Sequence, residues 1–159
     1  ALGGHNQPLV IIDYAHKPDA LEKVLLAMRP VAQQRKGKLI CVFGCGGNRD
    51  TSKRPLMAEI ACKHADEVIV TSDNPRAEDP LAIIAQILKG IPAGFEVSTQ
   101  PDRSTAIVQA LKQATAADIV LVAGKGHETY QEILGVKYPF SDAEHAAAAL
   151  AIWQERVPS

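Results

Sequence analysis

Residues 68–76 read Val-Ile-Val-Thr-Ser-Asp-Asn-Pro-Arg, an apolar run that passes into a polar proline turn. An apolar run bounded by turn-forming residues is typical of a buried strand. The turn Asp73–Arg76 therefore lies at the carboxyl end of that strand, where open α/β sheets bind ligands. A guanidinium such as that of Arg76 can bind a carboxylate through two parallel hydrogen bonds. The alternative is an ordinary strand-end turn with a solvated Arg76.

Strand and helix patterns alternate on both sides of this stretch. Strands are predicted at Leu9–Tyr14, Lys38–Phe43, Glu67–Thr71, Phe95–Thr99 and Asp118–Val122. Proline positions, capping residues and apolar spacing predict helices that begin at Pro18, Pro55 and Pro80, at about Asp102, and after Ser141-x-x-Glu144. Residues 129–140 carry Gly135 between two β-prone pieces, which predicts a hairpin or an antiparallel edge near the C-terminus.

This alternation predicts the fold class, because strands joined through helices form right-handed βαβ units. We expect an α/β domain with a Rossmann-like, mostly parallel sheet and helices on both faces. The length of 159 residues suits one domain, residues 1–159. Residues 1–8 have the character of a linker, so we interpret the chain as one domain of a longer protein.

Composition supports this class and excludes others. The chain is 47% hydrophobic but only 4% aromatic, so its core must consist of Val, Ile, Leu and Ala. With 17 basic and 18 acidic residues, it has no electrostatic footprint for nucleic acid or an anionic membrane. The sequence has neither an apolar run long enough to span a membrane nor a signal-peptide pattern, and we expect a cytoplasmic protein. Cys41, Cys45 and Cys62 fit structural thiols in a reducing cytosol.

Four polar or glycine-rich segments each follow a predicted strand. They are Asp13–His16, Gly44–Asp50, Asp73–Arg76 and Gly124–Glu128. Because parallel strands place their carboxyl ends at one edge of the sheet, we expect these four loops to converge there. Binding residues concentrate on loops that a rigid scaffold holds, so the convergence favours a binding function.

The glycines of the second loop allow two interpretations. Gly44-x-Gly46 resembles a dinucleotide-binding fingerprint, but Arg49 occupies the position of the third glycine. The segment is either a flexible glycine turn or a backbone nest that brings Arg49 to a carboxylate or phosphate.

The other two loops also leave alternatives open. Gly124-Lys125-Gly126 lacks the spacing of a phosphate-binding P-loop. It is either a turn with exposed charges or a glycine backbone that a ligand approaches closely while Glu128 receives its ammonium group. Asp13 and His16 could bind a metal together, but no third ligand is evident, and a nucleotide contact or a capped strand end fits better.

Five motifs, in this order along the chain, resemble those of the Mur ligases. They are Asp13-Tyr14-Ala15-His16-x-Pro18-Asp19, Gly44-Cys45-Gly46-Gly47-x-Arg49-Asp50, Lys53-Arg54-Pro55, Asp73-Asn74-Pro75-Arg76 and Gly124-Lys125-Gly126-His127-Glu128. From about Pro8 to the last helix the chain resembles the C-terminal domain of the diaminopimelate-adding branch. The most specific motif is Asp73–Arg76, since the lysine-adding relatives resemble it but do not carry this arginine.

The resemblance implies an ATP- and Mg²⁺-dependent ligase of peptidoglycan precursor synthesis. Such an enzyme phosphorylates the D-Glu carboxylate of UDP-MurNAc-L-Ala-D-Glu, and the amine of meso-diaminopimelate then attacks the acyl phosphate. The resemblance implies that Arg49, Asn74, Arg76, Gly124 and Glu128 bind meso-diaminopimelate and that Asp73 orients the loop. Asp13 and His16 would approach ATP.

The same resemblance implies limits to what this chain does alone. It carries no phosphate loop, no evident metal ligand and no catalytic residue that can be nominated, so other domains would hold most of the ATP and Mg²⁺. We therefore expect the isolated chain to be inactive and monomeric. The alternatives are a lysine- or D-Glu-adding Mur ligase, which Arg76 argues against, and a standalone nucleotide-binding module.

Overall fold

The computed structural model describes residues 1–154, and residues 155–159 of the predicted domain lie outside the described residues. The strands are β1 (Leu2–Gly3), β2 (Leu9–Asp13), β3 (Leu39–Phe43), β4 (Glu67–Val70), β5 (Ser98–Thr99), β6 (Ile119–Ala123), β7 (Tyr130–Ile133) and β8 (Val136–Pro139). The helices are α1 (Pro18–Arg35), α2 (Lys53–His64), α3 (Pro80–Leu88), α4 (Arg103–Gln113) and α5 (Asp142–Ala151).

The main sheet has six strands in the order β1-β2-β6-β3-β4-β5. All neighbours pair in parallel except β1, which runs antiparallel to β2 at one edge. The predicted fold class, a mostly parallel sheet with helices on both faces, is confirmed. The strand β1 lies within residues 1–8, the segment that we predicted to be a linker.

Alternate residues of the central strands face opposite helical layers, which explains why these strands are apolar along their whole length. In β3, Leu39, Cys41 and Phe43 pack in a cluster that includes residues of α1, α2 and α3. Ile40 and Val42 point to the other side, into a cluster that includes residues of α4 and α5. The core is therefore two aliphatic layers with the sheet between them.

The other predicted strands differ from the structure by one residue at one or both ends, but two predicted boundaries were wrong by two residues or more. Helix α2 begins at Lys53 and not at Pro55, because a proline is tolerated in the first turn, where its missing N–H would have no helical partner. The strand predicted at Phe95–Thr99 is reduced to Ser98–Thr99, which pairs with β4 alone at the edge of the sheet. Phe95 instead donates its backbone N–H to the Pro92 carbonyl in a turn.

The predicted hairpin near the C-terminus is present as β7 and β8, a separate antiparallel pair. Leu134 and Gly135 connect the strands, with φ of 50° and 78°. Two positive φ angles in a two-residue loop are the geometry that matches the twist of a hairpin. Ile133 also forms a parallel bridge with Arg76, so the hairpin is attached to the loop that follows β4.

The three cysteines are free and buried. Burial raises the pKa of Cys41 and of Cys45 to about 12, so both remain neutral thiols at ordinary pH. They contribute to packing, as we predicted. In the part of the chain that the structure describes, no helix combines the length and the apolar character that crossing a membrane requires.

Candidate functional site

A cavity of about 810 Å³ lies at the carboxyl ends of the parallel strands, and all four predicted loops contribute to its lining. The expected convergence of the loops is thus confirmed. The predicted residues that line the cavity are His16, Arg49, Asp73, Asn74, Arg76, Gly124 and Glu128. Asp13 does not line it. The Asp13 carboxylate accepts a hydrogen bond of 2.8 Å from the backbone N–H of Ala15 and so caps its own strand end.

Asn74 lies buried at the centre of the site, where its side chain joins three segments. Its Oδ1 accepts hydrogen bonds from Lys125 Nζ at 2.7 Å and from the backbone N–H of Glu132 at 3.0 Å. Because two donors meet this oxygen, the amide group must turn its Nδ2 the other way. Nδ2 lies 3.5 Å from Glu128 Oε1. The amide and the carboxylate thus stand side by side at the cavity.

Arg76 has a backbone conformation that non-glycine residues rarely adopt, with φ of 53°. The hairpin holds it there through two backbone hydrogen bonds. The Arg76 N–H donates to the Glu132 carbonyl at 2.9 Å, and the Arg76 carbonyl accepts from the Leu134 N–H at 2.7 Å. Arg76 Nη1 donates to the Gly47 carbonyl at 3.0 Å, and Nε lies 3.7 Å from Glu132 Oε1. A guanidinium has five N–H donors, so these contacts fix its position and leave donors for a ligand.

The loop after β3 is fastened to the loop after β4 and is not a flexible glycine turn. Gly47 donates its N–H to the Asn74 carbonyl at 2.7 Å. A Cβ built on Gly47 would lie 1.8 Å from the Pro75 carbonyl oxygen, so only glycine permits this approach. The backbone N–H of Asn48 donates to Glu78 Oε1 at 2.7 Å. The two loops therefore form one wall of the cavity.

This wall carries one exposed and one buried arginine. Arg49 is exposed on the loop, where its Nη1 donates to the Asn48 carbonyl at 3.0 Å and the residue lines the cavity. Arg54 is fully buried behind it and donates to the Gly46 carbonyl at 2.9 Å and to Glu78 at 3.0 Å. The hydrogen bond from Arg54, with that from the Asn48 N–H, lowers the pKa of Glu78.

Lys125 is a residue whose position the sequence did not reveal. One interpretation of its loop placed exposed charges there, but Lys125 is completely buried. Its Nζ donates to Asn74 Oδ1 at 2.7 Å and to the Tyr130 carbonyl at 3.1 Å. It also lies 3.0 Å from Asp73 Oδ1 and 3.6 Å from Glu128 Oε1. The flanking glycines, both at positive φ, are the sequence signal for the sharp turn that directs this side chain inward.

A third buried cation, Arg103, supports the site from the opposite helical layer. It donates to the carbonyls of Ser72 and Ala123 at 2.9 and 3.2 Å, where β4 and β6 pass into their loops. Burial alone would lower the pKa of Arg103, but its hydrogen bonds and ion pair with Asp142 outweigh burial, and the pKa is raised. Nothing in the local sequence distinguishes this arginine from a solvated one.

The other side of the cavity is formed by the loop after β2 and the start of α1. The His16 Nδ1 lies 3.1 Å from the Tyr14 carbonyl oxygen, and the two rings meet edge to face at 4.7 Å. Lys53 Nζ donates to the His16 carbonyl at 2.9 Å, which ties this loop to α2. Within residues 1–154 no group of three or more His, Cys, Asp or Glu side chains is arranged to hold a metal ion.

The fold and the site define an α/β domain in which cationic and anionic side chains face one cavity at the carboxyl ends of the parallel strands. The family model described as "Mur ligase, glutamate ligase domain" matches residues 2–126, and the chain belongs to this family. The resemblance inferred from the motifs is thus confirmed.

Three relatives show where in the family the chain falls. It is 62% identical over 150 residues to the UDP-N-acetylmuramoyl-L-alanyl-D-glutamate–2,6-diaminopimelate ligase of Acidovorax sp., covering 94% of this chain and 30% of the relative. A solved structure of a ligase with that same name matches with a TM-score of 0.84 and 45% identity, over 92% of this chain and 30% of the other. A bifunctional folylpolyglutamate synthase/dihydrofolate synthase of Yersinia pestis, complexed with AMPPNP and a Mn ion, matches with a TM-score of 0.56 and 26% identity, over 78% and 28% of the two chains. The chain thus spans about a third of the length of these proteins.

Proposed function

We propose that this chain is the amino-acid-binding domain of an ATP-dependent ligase that adds meso-diaminopimelate to UDP-MurNAc-L-Ala-D-Glu. The observation that carries the proposal is the placement of Arg76 and Glu128 in one cavity, with Asn74 beside Glu128. The far end of diaminopimelate carries a carboxylate and an ammonium group on one carbon atom. A guanidinium fork and a carboxylate are the complementary partners for such a zwitterion.

The remaining predicted residues fit this ligand. Arg49 supplies a second, exposed guanidinium to the same cavity. Gly124 adopts φ of 119°, a conformation that favours glycine, and its lack of a side chain lets a ligand approach the backbone. Asp73 would orient the loop after β4 and not bind the ligand, since its carboxylate is paired with Lys125.

The cofactor proposal rests on the relatives and on the loop after β2. The Yersinia pestis relative was solved with an ATP analogue and a divalent metal ion. In this chain the loop after β2 presents His16 to the cavity, and the Asp13 carboxylate stiffens the loop by accepting the backbone N–H of Ala15. We propose that these two residues approach ATP when the domains of the ligase close. Mg²⁺ would be held mainly outside this chain, because residues 1–154 offer no cluster of metal ligands.

The proposed reaction divides its work between domains. ATP supplies the phosphoryl group that activates the D-Glu side-chain carboxylate, and the amine of diaminopimelate displaces phosphate. This domain positions the amino acid. By binding the distal ammonium and carboxylate groups, it fixes the location of the attacking amine. Positioning the nucleophile in this way removes much of the entropic part of the activation barrier. The chain is expected to act as part of a cytoplasmic, monomeric enzyme.

The test is amino-acid choice by the full-length enzyme. Purified ligase, ATP and Mg²⁺ are incubated with UDP-MurNAc-L-Ala-D-Glu and either meso-diaminopimelate or L-lysine, or with UDP-MurNAc-L-Ala and D-glutamate, and product and phosphate are measured. We expect efficient ligation of meso-diaminopimelate alone. A preference for lysine or D-glutamate would assign the chain to another branch of the family. A dinucleotide that bound the chain tightly in a ligand screen would favour a standalone nucleotide-binding module instead.

A further inference from the structure

The ammonium group of Lys125 is enclosed behind the cavity wall and cannot reach a ligand. The side chain is fully buried. An ammonium has three N–H donors, and three oxygen atoms lie within hydrogen-bonding distance of this one. They are Asn74 Oδ1 at 2.7 Å, the Tyr130 carbonyl at 3.1 Å and Asp73 Oδ1 at 3.0 Å, the last in an ion pair that lacks the alignment of a hydrogen bond. Any effect of Lys125 on a ligand must therefore act through its neighbours.

One such effect concerns the polarity of Asn74. An amide side chain can present either its oxygen or its nitrogen to a ligand, and the neighbouring groups decide which. Lys125 and the Glu132 N–H both donate to Oδ1, and a flipped amide would place its own donors against these donors. Asn74 consequently turns a donor toward Glu128 and the cavity.

The second effect concerns net charge. Asp73 and Glu128 both line the cavity, and Lys125 lies within 3.6 Å of a carboxylate oxygen of each. With Lys125 present, the cluster of these three groups carries one net negative charge. Without it, two carboxylates would face the cavity uncompensated. A site with that charge would attract an ammonium group more strongly and repel a carboxylate.

We propose that Lys125 is a positioning and specificity-determining residue that sets this cluster to a single negative charge. This charge matches a ligand end that carries an ammonium and a carboxylate together. The inference rests on the proposed function, because it concerns how the same site distinguishes such a zwitterion from a plain amine. Lys125 thereby assists Arg76 without touching the ligand.

The experiment is a double-mutant cycle in the full-length enzyme, in which the two single variants change the net charge of the cluster in opposite directions. The kcat/KM values for meso-diaminopimelate and for L-lysine are measured in the wild type, Lys125→Met, Asp73→Asn and the double variant. Lys125→Met adds net negative charge, so the ratio of diaminopimelate to lysine activity should fall by about tenfold or more, which corresponds to about 1.4 kcal/mol. Asp73→Asn removes negative charge, so the ratio should rise. The double variant restores the net charge, and its ratio should return toward that of the wild type.

The ratio separates this role from a merely structural one. A variant that only loosens the fold loses activity with both amino acids by the same factor and keeps the wild-type ratio. Lys112→Met, at an exposed lysine that does not line the cavity, is the matched control and should change neither activity nor ratio. Urea unfolding of each variant establishes that it is folded. If Lys125→Met does not fold, Asp73→Asn alone tests the inference: a rise in the ratio of diaminopimelate to lysine activity supports it, and a fall or an unchanged ratio overturns it.

Two negative results have different meanings. Unchanged ratios in Lys125→Met and Asp73→Asn, in an enzyme whose wild type uses diaminopimelate, would overturn this inference alone. A wild-type enzyme that does not use diaminopimelate would overturn the proposed function and this inference with it.

Discussion

Arg103 and Asp142 form a two-pronged ion pair that is fully shielded from solvent: Nε–Oδ1 and Nη2–Oδ2 are both 2.7 Å. The pair joins α4 to the first turn of α5. Since Arg103 also binds the carbonyls of Ser72 and Ala123, it connects that helical layer to the origins of two of the loops at the cavity. The site is thus supported by charges that no ligand can contact.

The first prediction concerns this pair. Asp142→Asn leaves the buried Arg103 charge without its counter-ion, which should cost about 3–5 kcal/mol of unfolding free energy. Urea unfolding of the 159-residue chain measures it. The matched control is Lys38→Met, because Lys38 is exposed and lies 3.4 Å from a partly exposed Glu67, and such surface pairs contribute about 0–1 kcal/mol. Equal, small losses in both variants would mean that water compensates Arg103.

Arg76 is predicted to determine the choice between diaminopimelate and lysine. Lysine lacks the distal carboxylate and would leave the guanidinium unpaired, and a site built to bind a substrate group can reject the analogue by about 10⁴-fold or more. Arg76→Ala should lose most diaminopimelate activity and reduce that preference. Arg76→Lys should restore little, since a point charge does not replace a planar fork. The measurement is kcat/KM for both amino acids in the full-length enzyme.

Gly46 offers an independent check of the Arg76 prediction. A Cβ on Gly46 would lie 2.7 Å from Arg76 Nη1, so Gly46→Ala must displace the guanidinium while its charge remains. We expect this variant to lower the preference for diaminopimelate in the same direction as Arg76→Ala. A wild-type ratio in both variants would remove Arg76 from carboxylate recognition.

His16 is predicted to matter for the rate and not for folding. It lies at the cavity in a loop that Lys53 and Asp13 already hold, so its imidazole is not needed to shape the loop. His16→Ala should lower kcat of the full-length enzyme, while the thermal unfolding midpoint of the chain stays within about 2 °C of the wild type. If the activity is unchanged, or if stability is lost instead, His16 is a local structural residue.

The isolated chain is predicted not to turn over ATP. Phosphoryl transfer requires positioned phosphates and a metal ion, and the sequence contains no phosphate-binding loop of the form Gly-x₄-Gly-Lys-Ser/Thr. The assay is phosphate release by the purified 159-residue chain with ATP and Mg²⁺, compared with a boiled sample. Steady release above that control would contradict the prediction.

Stability at acid pH should depend on Glu78. Its pKa is lowered from 4.5 by the Arg54 hydrogen bond and the Asn48 N–H, so the folded state binds a proton at this group less readily than the unfolded state. The stabilisation is therefore fully present above about pH 4.5 and is lost as the pH falls through the lowered pKa. Glu78→Gln should be less stable than the wild type at neutral pH, and the difference should shrink below that value. A difference that is constant with pH would exclude the charge as its cause.

The sequence predicted most of the architecture because local patterns determine it. Continuous apolar runs and capping residues are visible in a single chain, and Asp79, Asp102 and Ser141 each cap the helix that they precede. The predicted start of α2 was wrong because proline is compatible with the first turn of a helix as well as with its first position. The edge strand β5 is short because it pairs with β4 alone. Strand pairing depends on the tertiary structure and is not visible in a local sequence pattern.

The loops at the cavity were predictable, but their internal support was not. Parallel strands bring their ends to one edge, so the positions of Asn74 and Glu128 followed from the fold class. Lys125, Arg54 and Arg103 are buried charges, and each depends on a side-chain partner that is distant in sequence: Asn74 at 51 residues, Glu78 at 24 and Asp142 at 39. No local pattern distinguishes such residues from the solvated lysines and arginines of a surface.

The position of β6 has a consequence for how the chain acquires its structure during synthesis. This strand lies between β2 and β3, which do not pair with each other, although about 75 residues separate β3 from β6 along the chain. A nascent chain that ends before Ile119 therefore has two separate sheet fragments with unpaired edges, which are prone to aggregation. Insertion of β6 joins the fragments and delivers the Gly124–Glu128 loop to the cavity in the same event. The site can therefore form only after β6 has inserted and the β7–β8 hairpin that holds Arg76 has been synthesised, so binding competence would report that the six-stranded sheet is complete.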